Sequence, residues 1–549
     1  MTPLLPLMKW TTRTAFVFAL CVAGPTVRAA DGAVTVSGSV VDADSGQVLP
    51  ARVYIHSSDG AWFFPKSASP EGSAIEYRRQ PSSKSVEMHT TLSAHPFTVE
   101  LPPGRYVFTA EHGKQFLPAE QTITVEQAPV RVELKLKRWI DMAARGWFSG
   151  DTHSHRPLAE MPNALLAEDL NIAFPLSHWV ALSGASPQSA NKVPAPVPPG
   201  EVITLDPSHL IYPLNTEYEI VNTNGQPHTL GAFLVIGLQT PLTDGVPPVA
   251  PVLAQARREG ALIDLEKHSW PWSIAMAAVL KADLFELANN HVWRTEFGFP
   301  QWTLSAAGKY MNLEMDERGF TEWGWIDFGF QTYYALLNCG FPIRPTGGTA
   351  AGVHPVPLGF GRVYARQPDG FSYEKWMAAL KAGHSFVTTG PMLFVRVNEK
   401  EPGDTLSLEA ATKTVQLTGT VESLAPLERI EIVVNGRVVK GVTPVNTARE
   451  EGGFENRLAE SVPVDGSGWI AVRAFESNGG RRNRFAHSSP VFIEIPGRPL
   501  RPRREEIDYL IQRVEEEIAR NENVLSPTAL DEYREALKIY RTIGQTAQP

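Results

Sequence analysis

The chain has 549 residues, of which 43% are hydrophobic and 20% are charged, and its formal net charge is -9. This composition is typical of a soluble globular protein, and a chain of this length is expected to form several domains, about two to four. The acidic balance and the lack of a long basic run in the sequence argue against nucleic acid as a main partner.

Residues 1–30 have the features of a secretory signal peptide in the expected order. Lys9 and Arg13 precede an apolar run over residues 15–24, and the sequence VRAA at residues 27–30 offers small residues for cleavage. The run is too short to cross a bilayer comfortably, so an uncleaved anchor is the less favoured interpretation. We therefore expect an exported protein, periplasmic or extracellular, with no stable membrane insertion after cleavage.

Residues 33–138 show short alternating apolar runs that are separated by turn residues. Such runs occupy residues 34–41, 51–55 and 130–136, and a Pro-Pro-Gly turn at 102–104 separates two more. Frequent short strands joined by tight turns predict a β-sandwich of about 100 residues.

In residues 139–395, strand-like runs alternate with helical ones. Apolar runs at 171–176 and 261–265 predict buried strands, whereas residues 251–259 and 373–382 have helical spacing. This alternation indicates an α/β layer or barrel with a parallel sheet. In such barrels the chemistry lies at the C-terminal ends of the strands.

The β pattern returns in residues 396–496, which predict a second sandwich. Asn435 and Gly436 follow a strand-like run and give a strong hairpin-turn signal. After a linker rich in Pro and Arg, residues 503–545 have two amphipathic stretches that predict a helical hairpin packed on the body. The fold class we expect is a multidomain α/β and β protein with a central barrel, two flanking sandwiches and this hairpin.

The sequence WFSGDTHSHR at residues 147–156 is the strongest functional signal. Side chains alternate along a strand, so Asp151, His153 and His155 are expected on one face. A carboxylate and two imidazoles that converge at a strand end form half of a metal site. The alternative is a set of polar residues on a solvated edge.

Further carboxylates and imidazoles follow other predicted strands. They lie in NTEYEI (residues 215–220), LIDLEKHSW (262–270) and FELANNH (285–291), and they include Glu217, Glu266, His268, Glu286 and His291. A metallohydrolase needs such a set, because oxygen and imidazole ligands hold a cation that lowers the pKa of bound water and generates hydroxide. Taken singly, a histidine at a strand end is more often structural, and Glu266 could simply pair with Lys267.

These motifs resemble a known superfamily. GDTHSHRP at residues 150–157 resembles the opening motif of the polymerase and histidinol phosphatase (PHP) superfamily. LLNCGF (336–341), GRVY (361–364) and SFVTTGP (385–391) are similar to its CehA/McbA branch, the carbaryl-hydrolase-like metallohydrolases. The resemblance implies a distorted seven-stranded β/α barrel with up to three metals that hydrolyses phosphoesters, carbamates or carboxylic esters. VSGSVVDADSG (36–46) resembles carboxypeptidase-regulatory-like modules, which implies a scaffold or interaction role.

The resemblance assigns residues unevenly. His153 and His155 match the first His-x-His pair, Asp151 its common predecessor, and Glu217 the bridging glutamate. LSH at residues 176–178 replaces Thr-Asp-His, and GTAAGVH at 348–354 replaces Gly-Ser-Asp-x-His, so two carboxylates are missing. Either one metal remains in place of three, or Glu266 and His291 compensate.

Two functions follow as hypotheses. The first is an exported hydrolase that attacks a small-molecule or polymeric ester, carbamate or phosphoester through metal-bound hydroxide. It would hold one to three zinc or manganese ions on His153, His155, Glu217, His268 and His291, with Asp151 or Glu266 as general base or orienting group. The alternative is a catalytically decayed barrel that binds a polysaccharide or a surface protein. The sequence leaves the oligomeric state open.

Overall fold

β-strands are the main regular structure in the described residues, arranged in several sheets with seven α-helices among them. The structure is a computed structural model, and it describes residues 32–80, 87–187, 197–298, 300–301, 303–477 and 482–548. The expected signal peptide lies outside this range. Within it, no helix combines the length and the apolar character needed to cross a bilayer.

The N-terminal region contains ten strands in two sheets. They are β1 (Val34–Asp42), β2 (Ala51–Ser57), β3 (Trp62–Phe63), β4 (Lys66–Ser67), β5 (Ala74–Arg79), β6 (Glu87–Leu92), β7 (Phe97–Leu101), β8 (Gly104–Glu111), β9 (Ala119–Val125) and β10 (Val130–Leu136). One sheet has the order β10-β1-β7-β4, and the other has the order β5-β6-β2-β8-β9 with β3 beside β2. Alternate side chains such as Val36, Phe97 and Phe108 are buried in a shared core, as the period-two pattern predicts.

The central region holds fourteen strands and five helices within the described residues. The strands are β11 (Trp147–Ser154), β12 (Ile172–Pro175), β13 (His178–Leu182), β14 (Ile203–Asp206), β15 (His209–Ile211), β16 (Thr216–Thr223), β17 (Gln226–Ile236), β18 (Leu262–Leu265), β19 (Leu284–Ala288), β20 (Met315–Asp316), β21 (Gly319–Phe320), β22 (Arg344–Gly347), β23 (Arg362–Arg366) and β24 (Ser385–Thr388). The helices are α1 (Met161–Ala167), α2 (Ala250–Glu259), α3 (Ala277–Leu280), α4 (Glu322–Asn338) and α5 (Tyr373–Ala382).

The central sheets are mixed, which differs from the parallel sheet that the alternation predicts. One sheet begins β14-β15-β12-β11-β23-β24, and the other has the order β13-β16-β17-β18-β19-β22. Strands β16 and β17 form an antiparallel hairpin because Asn224 and Gly225 both adopt positive φ, 52° and 74°, in a tight turn. A turn of this length cannot make the crossover that parallel strands need.

The described part of the C-terminal region contains ten strands and two helices. The strands are β25 (Met392–Val397), β26 (Thr405–Ser407), β27 (Thr414–Ser423), β28 (Leu427–Val434), β29 (Arg437–Val442), β30 (Thr447–Ala448), β31 (Phe454–Pro463), β32 (Gly468–Glu476), β33 (Phe485–Ser488) and β34 (Val491–Glu494), and the helices are α6 (Arg504–Asn521) and α7 (Pro527–Gly544). Strand β24 pairs with β33, so one sheet runs from the central region into this one. Asn435 and Gly436 form the predicted hairpin turn, with φ of 49° and 80°.

Helices α6 and α7 form the expected hairpin and cover the central region. The Ser526 side chain accepts a hydrogen bond from the Ala529 amide at 3.3 Å and so caps α7. The indole of Trp272 donates to the Tyr533 hydroxyl at 2.8 Å, and Tyr533 is fully buried. The hairpin therefore extends the central core and does not form a separate body.

The two central sheets meet beside the end of β11. The Ala350 amide donates to the His153 carbonyl at 2.7 Å, and the Leu176 amide donates to the Ser154 carbonyl at 2.8 Å. The glycine-rich loop after β22 approaches closely, because a Cβ atom at Gly348 would lie 2.3 Å from the Cβ of His153. Strand pairing among the described residues leaves two sheets at this seam and does not close them into one barrel.

Candidate metal centre

Three side chains with metal-binding atoms converge at the seam. His153 lies near the end of β11, His155 directly follows that strand, and Glu217 is the second residue of β16. All three are completely buried, and one ligand atom from each lies within 4.8 Å of the others. The sequence therefore correctly predicted that the two histidines and Glu217 come together.

The spacing of these atoms fits a bound ion. The Nε2 atoms of His153 and His155 are 3.2 Å apart, and Nε2 of His155 lies 3.3 Å from Oε2 of Glu217. A tetrahedral zinc ion at its usual bond lengths separates its ligand atoms by about 3.3–3.5 Å. Two histidines and one carboxylate also form a known ligand set of catalytic zinc, which leaves a fourth position for water or substrate.

Two buried carboxylates lie against the far side of the His153 ring. Oε2 of Glu286, on β19, is 2.8 Å from Nδ1 of His153, and Oε2 of Glu266, after β18, is 3.7 Å from the same atom. A carboxylate on Nδ1 fixes the ring orientation and directs Nε2 toward a metal. Burial and neighbouring carboxylates hold the pKa of Glu286 well above its usual range. We call His153, His155, Glu217, Glu266 and Glu286 the carboxylate cluster.

The ammonium group of Lys267 partly neutralises this cluster. It bonds Glu266, and its Nζ lies 3.4 Å from Oε1 of Glu217 and 3.2 Å from Oε1 of Glu219. Burial alone would lower the pKa of Lys267, but the carboxylates of Glu219, Glu266 and Glu217 hold that pKa well above its usual range. Carboxylates still outnumber cationic side chains around His153, so the cluster favours an additional cation.

Asp151 is buried, but its carboxylate is directed away from the three candidate ligands. It accepts hydrogen bonds from the His153 amide at 3.0 Å, the Thr349 hydroxyl at 2.6 Å and the Gly359 amide at 2.8 Å. Burial raises the pKa of Asp151 to about 6, and these hydrogen bonds limit the rise. Asp151 therefore ties the backbone of His153 to two loops, whereas the sequence placed it in a catalytic role.

His268 and His291, both expected as ligands, lie outside the three-residue group. The ring of His268 packs against Trp325 and Phe328 at 4.5 and 5.0 Å, and its Nδ1 is 2.9 Å from the amide nitrogen of Asn289. The ring of His291 packs against Trp325 at 4.8 Å. Burial lowers the pKa of His268 to about 3, so this imidazole is neutral. We call these five residues the aromatic cluster.

The carboxylate cluster approaches the surface beside β13 and β16. The indole of Trp179 donates to Oε2 of Glu219 at 2.9 Å, and both residues are half-buried. His178, adjacent to Trp179, is buried, and its Nδ1 lies 3.1 Å from the Ser177 hydroxyl. Glu219, which also contacts Lys267, thus connects the carboxylate cluster to the partly exposed Trp179.

The sequence placed Glu286 among the candidate carboxylates and left open a Lys267–Glu266 pair, which the structure contains, but it assigned neither Glu286 nor Lys267 a role in the metal site. Glu286 carries a detectable signal, because it is a charged residue inside the otherwise apolar strand β19. Lys267 carries no signal of burial, because an adjacent Glu-Lys pair is usually a surface feature, whereas here its side chain is buried.

A comparison of the whole chain with protein families, with curated proteins and with solved structures finds no match.

Proposed function

We propose that this chain is a metal-dependent hydrolase that acts on ester, carbamate or phosphoester bonds. The observation that carries the proposal is the spacing of His153, His155 and Glu217, whose neighbouring ligand atoms are 3.2 and 3.3 Å apart in a buried site. Zinc suits the two imidazoles, and manganese suits the surrounding oxygens. A bound ion would supply Lewis acidity, which polarises the scissile group and lowers the pKa of water.

Residues of the chain itself orient His153 and transfer a proton. Glu286 holds the His153 ring by its Nδ1, and Asp151 holds the His153 backbone. We assign proton transfer to Oε1 of Glu266, because this buried oxygen has no hydrogen-bond partner among the described residues. Burial holds the pKa of Glu266 well above its usual range even though Lys267 opposes the shift, which suits a group that accepts a proton from water.

We propose that the central region is a distorted β/α barrel of the PHP type, in its CehA/McbA branch. The quoted sequence motifs support this assignment. The backbone hydrogen bond from Ala350 to His153 supports it as well, because it joins the loop after β22 of one sheet to β11 of the other at the metal centre. In such barrels the strand ends carry the chemistry, and His155 and Glu266 directly follow β11 and β18.

A metal-holding binding protein on the same fold is the second candidate. The burial of all three ligand side chains favours this second candidate, because a substrate would have to displace neighbouring groups before it could reach the bound ion. The half-buried pair of Trp179 and Glu219 marks the surface where such a displacement would begin.

Metal analysis followed by an activity panel tests the proposal. The purified full chain should hold stoichiometric zinc or manganese after reloading, and it should hydrolyse at least one of a set of aryl esters, carbamates and phosphoesters. Glu266→Gln should retain the metal and lose most of the turnover, because it removes the proton acceptor with little change of shape. Failure to bind either metal after reloading would refute the proposal, and stoichiometric metal without turnover would favour the second candidate.

A further inference from the structure

A cavity of about 230 Å³ lies where the N-terminal, central and C-terminal regions meet. Lys114 from the loop between β8 and β9, Phe360 from the loop before β23, and Glu476 and Arg484 from the C-terminal region all line it. None of the three candidate metal ligands lines this cavity. Gly359 separates the two sites, since it lines the cavity and its amide bonds Asp151.

Cationic side chains in the cavity wall rest on an aromatic ring and on backbone carbonyls. The ammonium of Lys114 and the guanidinium of Arg484 lie 4.6 and 4.8 Å from the centre of the Phe360 ring. Lys114 donates to the Thr389 carbonyl at 2.8 Å, and Arg484 donates to the carbonyls of Arg294 and Asn483. These contacts position both groups but supply no compensating negative charge, and burial together with the neighbouring Arg362 and Arg484 lowers the pKa of Lys114 well below its usual range.

The wall carries more positive than negative charge. Five cationic and three carboxylate side chains line the cavity. Glu111 and Glu168 are both bonded to Arg52, which leaves Glu476 as the remaining lining carboxylate. Within the described residues, Lys114 and Glu476 have no ion-pair partner within 4.0 Å, and Arg484 has only Glu322 at 3.9 Å, a carboxylate already bonded by Arg482.

We propose that this cavity is a binding site for a small oxyanion, a carboxylate or a phosphate, held by Lys114 and Arg484. A buried excess of positive charge is costly unless an anion compensates it, and a cavity with room for a small molecule allows that compensation. Lys114 keeps two N–H groups beyond its bond to Thr389. The guanidinium of Arg484 offers the planar donor set that suits both carboxylate and phosphate.

Glu476 allows a test in which two substitutions are expected to change anion affinity in opposite directions. Burial raises the pKa of Glu476 to about 7, so above this pH its carboxylate is charged, shares the cavity with the two cations and opposes an incoming anion. Removing this negative charge should therefore tighten anion binding, whereas removing a cation should weaken it. A side chain with a merely structural role would not produce changes of opposite sign.

Isothermal titration calorimetry on the full chain tests the proposal with inorganic phosphate and with acetate as separate probes, at constant ionic strength in chloride and at about pH 8, where Glu476 is ionised. Saturable binding is expected for at least one probe, and the responding probe identifies the anion class. Arg484→Met should weaken binding by about 10-fold or more, the usual effect of losing a charge-assisted hydrogen bond. Glu476→Gln should tighten it by about 3- to 10-fold, as expected when a nearby like charge is removed in a partly screened site.

Arg429→Met is the matched control. Arg429 also stacks on aromatic rings, at 4.6 Å from Trp323 and 4.0 Å from Phe475, but it does not line the cavity. Its substitution should leave anion binding unchanged. If Arg484→Met fails to fold, the near-isosteric Glu476→Gln still decides. Absence of saturable binding for both probes, or equal affinity in wild type and Glu476→Gln, would overturn the proposal.

Discussion

The carboxylate cluster and the aromatic cluster both contain two buried histidines, yet only the first is arranged like a metal site. In the carboxylate cluster, Nδ1 of His153 meets Glu286 at 2.8 Å and its Nε2 faces His155. In the aromatic cluster, the ring of His268 meets Trp325 and Phe328, and an amide nitrogen faces its Nδ1. Neighbouring carboxylates stabilise a cation and orient an imidazole, whereas neighbouring rings only desolvate it. The surroundings of a histidine therefore indicate metal binding better than its presence in a motif.

The largest expected effect is complete loss of metal from the carboxylate cluster. His153→Ala combined with His155→Ala removes two of the three candidate ligands, so the purified variant should hold no zinc or manganese after reloading. Metal analysis by mass spectrometry measures this. His268→Asn, which removes an imidazole of the aromatic cluster, is the matched control and should retain the full metal content. Metal retained in the double variant would show that another set of residues binds it.

A smaller effect is expected from the carboxylate that orients His153. Glu286→Gln removes the carboxyl group that faces Nδ1 of His153, and loss of such an outer partner typically weakens metal affinity by about 10- to 100-fold. Competition with a chromogenic chelator measures the change. Glu87→Gln is the control, because Glu87 is also buried, with its Oε2 3.5 Å from the Nδ1 of His89, but lies in the N-terminal region. Equal losses in both variants would point to general destabilisation.

Lys267 should act in the opposite direction. Lys267→Met removes a buried ammonium that lies 3.4 Å from Oε1 of Glu217 and competes with a metal ion for that carboxylate. Metal affinity should therefore rise by about tenfold, as expected when a like charge is removed from a site of intermediate dielectric. The same chelator competition reports it. The control is Lys135→Met, since the Lys135 side chain is 64% exposed on β10. Unchanged affinity in Lys267→Met would contradict the competition between the ammonium and the ion.

The sequence predicted the local elements better than their pairing. Strands β7 and β10 and helix α5 begin or end at the residues that the pattern indicates, because period-two and period-3.6 burial are local properties. The alternation pattern predicted parallel pairing, but the antiparallel pairing of β16 and β17 depends on a two-residue turn, Asn224-Gly225. The short turn therefore determines how these two strands pair, although the alternation of strand-like and helical runs predicts a parallel sheet.

In the candidate site, too, the local features were predictable from the sequence and the long-range contacts were not. His153 and His155 are close in sequence, so their convergence follows from strand alternation, and the resemblance to the PHP superfamily supplied Glu217. The partners Glu286 and Lys267 come from β19 and the end of β18, and only the packing of those strands brings them beside His153 and Glu217. Asp151 shows the limit of alternation, because Thr349 and Gly359 divert its carboxylate from the shared face.

The smallest expected effect is a pH dependence of stability. It comes from Asp264, a buried residue on one of the strands that carry the two clusters. Asp264 on β18 accepts hydrogen bonds from Thr346 at 2.8 Å and Thr152 at 3.3 Å, and burial raises its pKa from 3.8 to about 7. The folded chain therefore keeps a proton that the unfolded chain releases from about pH 4 upward. This contribution to stability is complete at low pH and is lost as the pH rises through about 7.

Thermal unfolding of the metal-free chain in chelator, from about pH 5 to about pH 8, measures this contribution of Asp264. The midpoint of the wild type should fall more steeply with pH than that of Asp264→Asn, by about 1–3 °C over this window. Asp283→Asn is the control, since Asp283 lies just before β19, also bonds its neighbours, and is more exposed, with 12% of its side chain accessible. Parallel pH profiles for wild type and Asp264→Asn would mean that Asp264 is ionised in the folded chain. The strands beneath the metal centre would then carry one more negative charge. The difference in charge between the surroundings of the carboxylate cluster and those of the aromatic cluster would be larger.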